Sequence, residues 1–282
     1  MSSSRAAGME SESTLRPEML EWAASSKQEP SKIGFLDLPR ELRDLVYYHA
    51  LRVPGAVLVQ TPYIFAAREE FQGRAIKYKG EGFAEPERLA KVITVALVRT
   101  CRQIHSESIL VLYGRNIFNF PISNANFAIR YRSLIRNIVF AVEAGRGIYS
   151  NNEIDMSYWW RRVYWPNVLD ICTKLLQRYP GLSNLTSPIK SENLWRTWRP
   201  AFMLVERKTS KQRIDMAALW LRTNCPIKDQ RLQKILHMEI MPARDVIEKD
   251  ECKGSRFVVE DDDGNEWNYT EFASAFEQMK KI

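Results

Sequence analysis

The sequence predicts an α+β fold: N-terminal helices packed on a small mixed sheet with βαβ crossovers, closed by a C-terminal β-hairpin and helix. Three observations carry this expectation. Apolar residues recur at helical spacing after Pro39 and again over Pro86–Tyr113. A β-branched run, Leu134–Val142, is followed by a helical segment, Tyr164–Tyr179, and a second strand, Leu182–Ile189, which together read as a βαβ unit. Finally, Asp263-Gly264 between Arg256–Glu260 and Glu266–Tyr269 is a hairpin turn signal.

Residues 1–31 are rich in Ser, Glu and Ala and read as a disordered tail, because such a stretch cannot offset its ordering entropy by burial. Residues 32–282 read as a single α+β domain, with 32–120 and 121–282 as its two regions. Pro39 suits the first position of a helix, where its missing N–H costs nothing, and Leu42, Leu45, Val46, His49 and Ala50 mark its expected buried face. Pro54-Gly55 ends that helix, Ala56–Gln60 reads as a strand, and residues 66–88 as a long loop. Pro86–Tyr113 carries the longest helical signal, with Leu97, Cys101, Ile104, Ser108 and Val111 on one stripe and Gly114 as a left-handed stop. Asn116–Phe120 follows as a strand. Pro180-Gly181 stops the crossover helix, and a second crossover is expected from a helix near Gln212–Thr223 and a strand over Leu232–Met241. Asn268 and Glu271 have capping-box spacing for a terminal helix that buries Phe272, Phe276 and Met279.

The 282 residues are 45% hydrophobic and 27% charged, an ordinary globular balance. No apolar run reaches transmembrane length and the N-terminus lacks a secretory pattern, so an intracellular, cytoplasmic or nuclear location and no membrane partner are expected. Four dispersed Cys fit buried or free thiols in a reducing compartment. The net charge of +7 is uneven: a basic stretch, Arg196–Arg213, precedes an acidic one, Asp245–Glu266, and internal pairing of the two weakens a nucleic-acid reading.

Catalytic signals are sparse. Neither a phosphate-binding glycine loop nor a nucleophile elbow occurs, and Asp261–Glu266 fails the calcium-loop spacing because Val259 and Thr270 would stand at ligand positions. Cys101 and His105, four apart, are read as packing residues of one helix rather than a nucleophile pair or metal ligands. No enzyme activity, cofactor, metal or small-molecule substrate is therefore expected. The Trp159, Trp160, Arg161 and Arg162 run fits either a protein-binding surface or, as the alternative, stacking on nucleic acid or chromatin; core cover by the rings is the blander reading.

Phe35-Leu-Asp-Leu-Pro-Arg-Glu-Leu-Arg43 resembles the opening of an F-box. Thr100-Cys-Arg-Gln-Ile-His-Ser-Glu107 with Leu112-Tyr-Gly-Arg-Asn-Ile-Phe118 is similar to the signature of a large fungal family of uncharacterised proteins with an F-box-like N-terminus. The resemblance covers residues 33–120. It implies a protein-interaction module that docks, through Leu38, Pro39, Glu41, Leu42 and Val46, on a Skp1-type adaptor of a ubiquitin ligase. The βαβ region resembles an irregular leucine-rich array, the partner-recognition half of such proteins. Two features depart from the F-box pattern: residues 52–88 separate its halves, and Thr100 and Ile104 stand where Val and Trp are usual.

Overall fold

The computed structural model describes residues 33–60, 72–120, 127–142, 146–150, 152–189, 209–240 and 270–281. The expected N-terminal tail and the expected hairpin over 256–269 lie outside these residues. The chain divides into two compact units, Met1–Arg43 and Asp44–Ile282.

In the first unit, a 3-10 turn, Phe35–Asp37, is closed by the Asp37 N–H on Gly34 O at 3.0 Å and by the Gly34 N–H on Asp37 Oδ2 at 2.8 Å. Arg43 Nη1 donates back to Leu36 O at 3.1 Å and Leu38 O at 2.6 Å. Helix α1 (Arg40–Leu51) starts here and continues into the second unit. Pro39 is the cap that accepts from the Leu42 and Arg43 N–H groups, one position before the expected place.

The second unit carries a seven-stranded mixed sheet in the order β3-β2-β1-β4-β5-β6-β7. Its strands are β1 (Ala56–Gln60), β2 (Gln72–Ile76), β3 (Glu87–Arg88), β4 (Ile117–Phe120), β5 (Asn137–Phe140), β6 (Asn184–Ile189) and β7 (Leu236–Ile240). β1, β2 and β3 pair antiparallel; β1, β4, β5, β6 and β7 pair parallel, each beside the strand that precedes it in that series. The helices between them are α2 (Leu89–Val92), α3 (Val95–Val98), α4 (Arg102–Gly114), α5 (Ile129–Arg132), α6 (Glu153–Trp159), α7 (Trp165–Arg178), α8 (Ser210–Asn224) and α9 (Gln230–Ile235), with α10 (Thr270–Met279) last. Both expected crossovers are present: β5 to β6 through α6 and α7, and β6 to β7 through α8 and α9.

Strand alternation gives the sheet two unlike faces. Val57, Phe118, Ile138, Leu185, Leu236 and Met238 join the main core with Trp160, Val168, Leu221 and Phe276 from the helices. On the other face a small cluster gathers Ala56, Ile76, Tyr78 and Val139. Phe272, Phe276 and Met279 are buried on α10, as their spacing predicts. Cys172 and Cys225 are buried free thiols.

Several expectations are corrected. Leu42, Leu45, Val46 and His49 are exposed; the buried face of α1 is Tyr47 and Leu51, both at 0% exposure. The 66–88 loop contains β2, β3 and a two-residue turn in which Lys79 (φ 50°) and Gly80 (φ 80°) have the left-handed pair of a type I′ hairpin. The long helix breaks into α2, α3 and α4, because Ile93 (φ −122°) and Cys101 (φ −153°) are extended. Gly114 ends α4 within the helix, without positive φ. Residues 230–235 form α9, so the last strand begins at Leu236 rather than Leu232. Gly181 is needed for close approach: a Cβ there would lie 1.9 Å from Ser133 O.

Candidate functional site

The second signature block packs behind α1 through Tyr47 and Leu51. The Tyr47 hydroxyl donates to Glu107 Oε2 at 2.8 Å, joining the buried face of α1 to the Gln103–Glu107 turn of α4. Gln103 Nε2 donates to the other oxygen, Oε1, at 3.3 Å. Asn116, 1% exposed, takes over the chain ends on either side. Its Oδ1 accepts from the Val53 N–H at 2.8 Å, and its Nδ2 donates to Leu51 O and Leu112 O, both at 2.9 Å. Those groups are orphaned where α1 and α4 end, and one amide satisfies both helix termini. Tyr113 then stacks on Tyr131 (4.8 Å between centroids) and on Phe118 (6.3 Å). The Asn-x-Phe part of the motif is therefore a structural clasp.

The clasp leaves the opposite side of α1 uncovered. Leu42 is 49% exposed, Leu45 55% and Val46 41%, at the i, i+3, i+4 spacing that shares one helix face. Leu38 is half-buried, while Pro39 and Glu41 are exposed. Large apolar side chains left in water on one face mark an interaction surface more often than a stabilising one.

The Trp–Arg run divides. Trp160 is fully buried, its indole N–H donating to Ile148 O at 3.1 Å and its ring meeting Trp220 edge-on at 5.5 Å. It is a core residue, which corrects its place among the binding residues. Trp159, 37% exposed, lies against Gly147, where any Cβ would fall 2.1 Å from the indole. Arg161 donates to Asn224 Oδ1 at 3.2 Å, and Arg161 and Arg162 are exposed. The run occupies a π-helical turn, Trp160–Tyr164, in which the Trp165 N–H bonds Trp160 O. Pro166 follows at once, and its missing N–H explains the widened turn. A second aromatic and basic group in the sequence, Trp195, Arg196, Trp198 and Arg199, which could extend the same surface, lies outside the described residues.

Cys101 and His105 do not form a pair. Cys101 is the exposed cap before α4, its Sγ accepting from the Ile104 N–H at 3.5 Å. His105 Nδ1 faces Val98 O at 3.0 Å and Nε2 faces the Tyr131 hydroxyl at 3.1 Å. Among the described residues no group of three His, Cys, Asp or Glu side chains has metal-binding geometry, and no helix is long and apolar enough to cross a membrane.

One feature lacks any local sequence signal. The Tyr78–Glu81 turn reaches β7, the edge strand: the Tyr78 hydroxyl donates to Glu239 Oε1 at 2.9 Å and Lys79 Nζ lies 2.7 Å from Oε2. Burial, and next the Glu239 charge, hold the Tyr78 phenol far above its ordinary value. Beside this contact, His237 Nδ1 donates to Glu277 Oε1 of α10 at 2.7 Å. The separation of 161 positions between Tyr78 and Glu239 puts the contact beyond any periodicity argument.

No curated protein and no solved structure matches the chain. Residues 26–176, which hold both signature blocks and run from before α1 almost to the end of α7, match a family described as "Domain of unknown function (DUF7730)". That match spans more than half of the 282 residues, and the chain belongs to the DUF7730 family.

Proposed function

We propose that this chain is a non-catalytic protein-interaction module whose α1 face docks on a protein partner, in the manner of an F-box-like substrate adaptor of a ubiquitin ligase. The observation that carries the reading is the exposure of Leu42, Leu45 and Val46 on a helix whose other side is held by Tyr47 and Leu51. A helix laying an apolar i, i+3, i+4 face into a groove is a common recognition mode. The resemblance of Phe35–Arg43 to an F-box opening supports a Skp1-type adaptor as the partner. The parallel series β1, β4, β5, β6, β7, each strand beside its predecessor, supports a second, leucine-rich-like region for substrate contact. Co-precipitation with the adaptor tests this. Enrichment that is lost on combined Leu42→Ala, Leu45→Ala and Val46→Ala supports it, and absence of enrichment removes it.

A second reading, nucleic-acid or chromatin association, is favoured by the exposed Trp159, Arg161 and Arg162. Binding through phosphate contacts falls steeply with salt. RNA or DNA binding that is absent, or insensitive to salt and to Arg161→Ala plus Arg162→Ala, excludes it.

A further inference from the structure

The exposed face of α1 has a counterpart in the sequence just ahead of it. On α1, Leu42, Val46 and His49 stand at i, i+4, i+7 with Leu45 beside them, all exposed. In the Ser- and Glu-rich N-terminal stretch, Leu15, Met19 and Trp22 have the same spacing, with Ala23 beside them and Glu18 and Glu21 flanking. Between the two, 25–32 reads Ser-Ser-Lys-Gln-Glu-Pro-Ser-Lys, polar throughout and linker-like in composition. The family match begins at residue 26, so the apolar stripe of 15–23 precedes the family domain. Residues 1–32 lie outside the described residues.

The tether selects this occupant. The described chain starts at Ile33, itself 76% exposed and close ahead of α1. The linker 25–32 can span up to about 27 Å, whereas Val46 lies only about 9 Å along the helix from Arg40. Residues 15–23 can therefore run back antiparallel to α1, with Trp22 toward Leu42 and Leu15 toward His49. A stretch this short and polar cannot bury enough apolar surface by itself, but a preformed apolar helix face supplies the missing half. The short linker also holds it near the face at an effective concentration on the order of mM. We infer that residues 15–23 cover the apolar face of α1 in cis, an occupant that a docking partner must displace. The cover regulates the face on which the docking reading rests, and depends on that reading only for the identity of what displaces it.

The test is the labelling rate of a thiol placed in the face. The full chain carries Cys101→Ser and Cys252→Ser, so that Cys172 and Cys225, both buried, are the remaining native thiols. Leu45→Cys and, in a separate chain, Leu42→Cys then supply the accessible thiol, which is followed with a neutral alkylating reagent. With an effective concentration about three times its Kd, the contact is closed about three-quarters of the time and slows labelling about fourfold. Met19→Ala combined with Trp22→Ala is expected to raise the rate by that factor at both positions, and the protection is expected to be independent of protein concentration. Equal rates with and without Met19 and Trp22 overturn the inference. Protection that grows with protein concentration also overturns it, and assigns the face to a second copy of the chain. The docking reading fails separately: absence of adaptor binding removes it and leaves the slow labelling, while equal labelling rates remove the cover and leave adaptor binding.

Discussion

Replacing Asn116 by Ala should be among the most damaging changes outside the apolar core. The side chain makes three hydrogen bonds at 1% exposure, and Ala leaves the Val53 N–H, Leu51 C=O and Leu112 C=O without that partner. Removing one partner of a buried pair costs about 1–3 kcal/mol. The three losses share one site and are not additive, so about 3–5 kcal/mol is expected, a large part of the roughly 5–15 kcal/mol that holds a domain folded. Urea denaturation of Asn116→Ala beside the wild type measures it. Asn116→Asp adds a check on mechanism. Its carboxylate still accepts from Val53 but faces two carbonyl oxygens, which raises its pKa above the ordinary ~3.9 of an unfolded Asp. A raised folded pKa contributes stability that is present below the unfolded pKa and is lost as pH rises through the folded one. Asn116→Asp should therefore approach the wild type in acid and fall away toward neutrality. A cost below about 1 kcal/mol for Asn116→Ala, or an Asn116→Asp variant with the wild-type pH profile, refutes the clasp.

Four further outcomes are expected. Trp160→Ala should cost about 3–5 kcal/mol as a core truncation, and Trp159→Ala about 1 kcal/mol, both read from urea midpoints. Burial pushes the Cys172 thiol up to about 12 from 9.0, and a folded pKa above the unfolded one means stability intact below pH 9 and lost as pH rises toward 12; alkaline denaturation should begin there, with Cys172→Ala delaying its onset. In a Cys252→Ser background at pH 8, a thiol reagent should label exposed Cys101 rapidly and buried Cys172 and Cys225 only at the rate of unfolding. Glu239→Gln should weaken the contact with the Tyr78–Lys79 turn by about 1–3 kcal/mol, read by hydrogen exchange at Tyr78 and Glu81.

What was legible in the sequence was what short-range patterning controls. The β5–α7–β6 unit, β1, β4, α8 and the buried face of α10 follow from periodicity and from the Pro180-Gly181 stop. The failures have physical causes. On α1 the Leu and Val positions form an apolar stripe, but Tyr47 and Leu51 are the residues that find Glu107 and the core, so the stripe faces water. Hydropathy cannot distinguish a face that packs inward from one left for a partner. In the stretch before α4, continuous apolar content hid two breaks, at Ile93-Thr94 and at Cys101, where extended residues reset the helix. β2 and β3 read as loop because they sit among glycines and charges and are held by pairing, β2 with β1 and β3 with β2, rather than by intrinsic preference. On α1 the helical spacing predicts Leu42, Leu45 and Val46 inward, and the structure leaves them exposed. In the Trp159–Arg162 run Trp160 is buried while Trp159, Arg161 and Arg162 reach solvent, since adjacent positions on a helical turn face different ways.

The most direct test of the central claim is a quantitative binding measurement between the full chain and a Skp1-type adaptor, with the α1 face as the variable. Leu42, Leu45 and Val46 are about half exposed, so burying what remains is worth about 1 kcal/mol each, or roughly a hundredfold in Kd for all three together. The triple Ala variant should keep its urea midpoint and lose that hundredfold. Binding that is undetectable in the wild type, or equal in the variant, contradicts the docking role of α1.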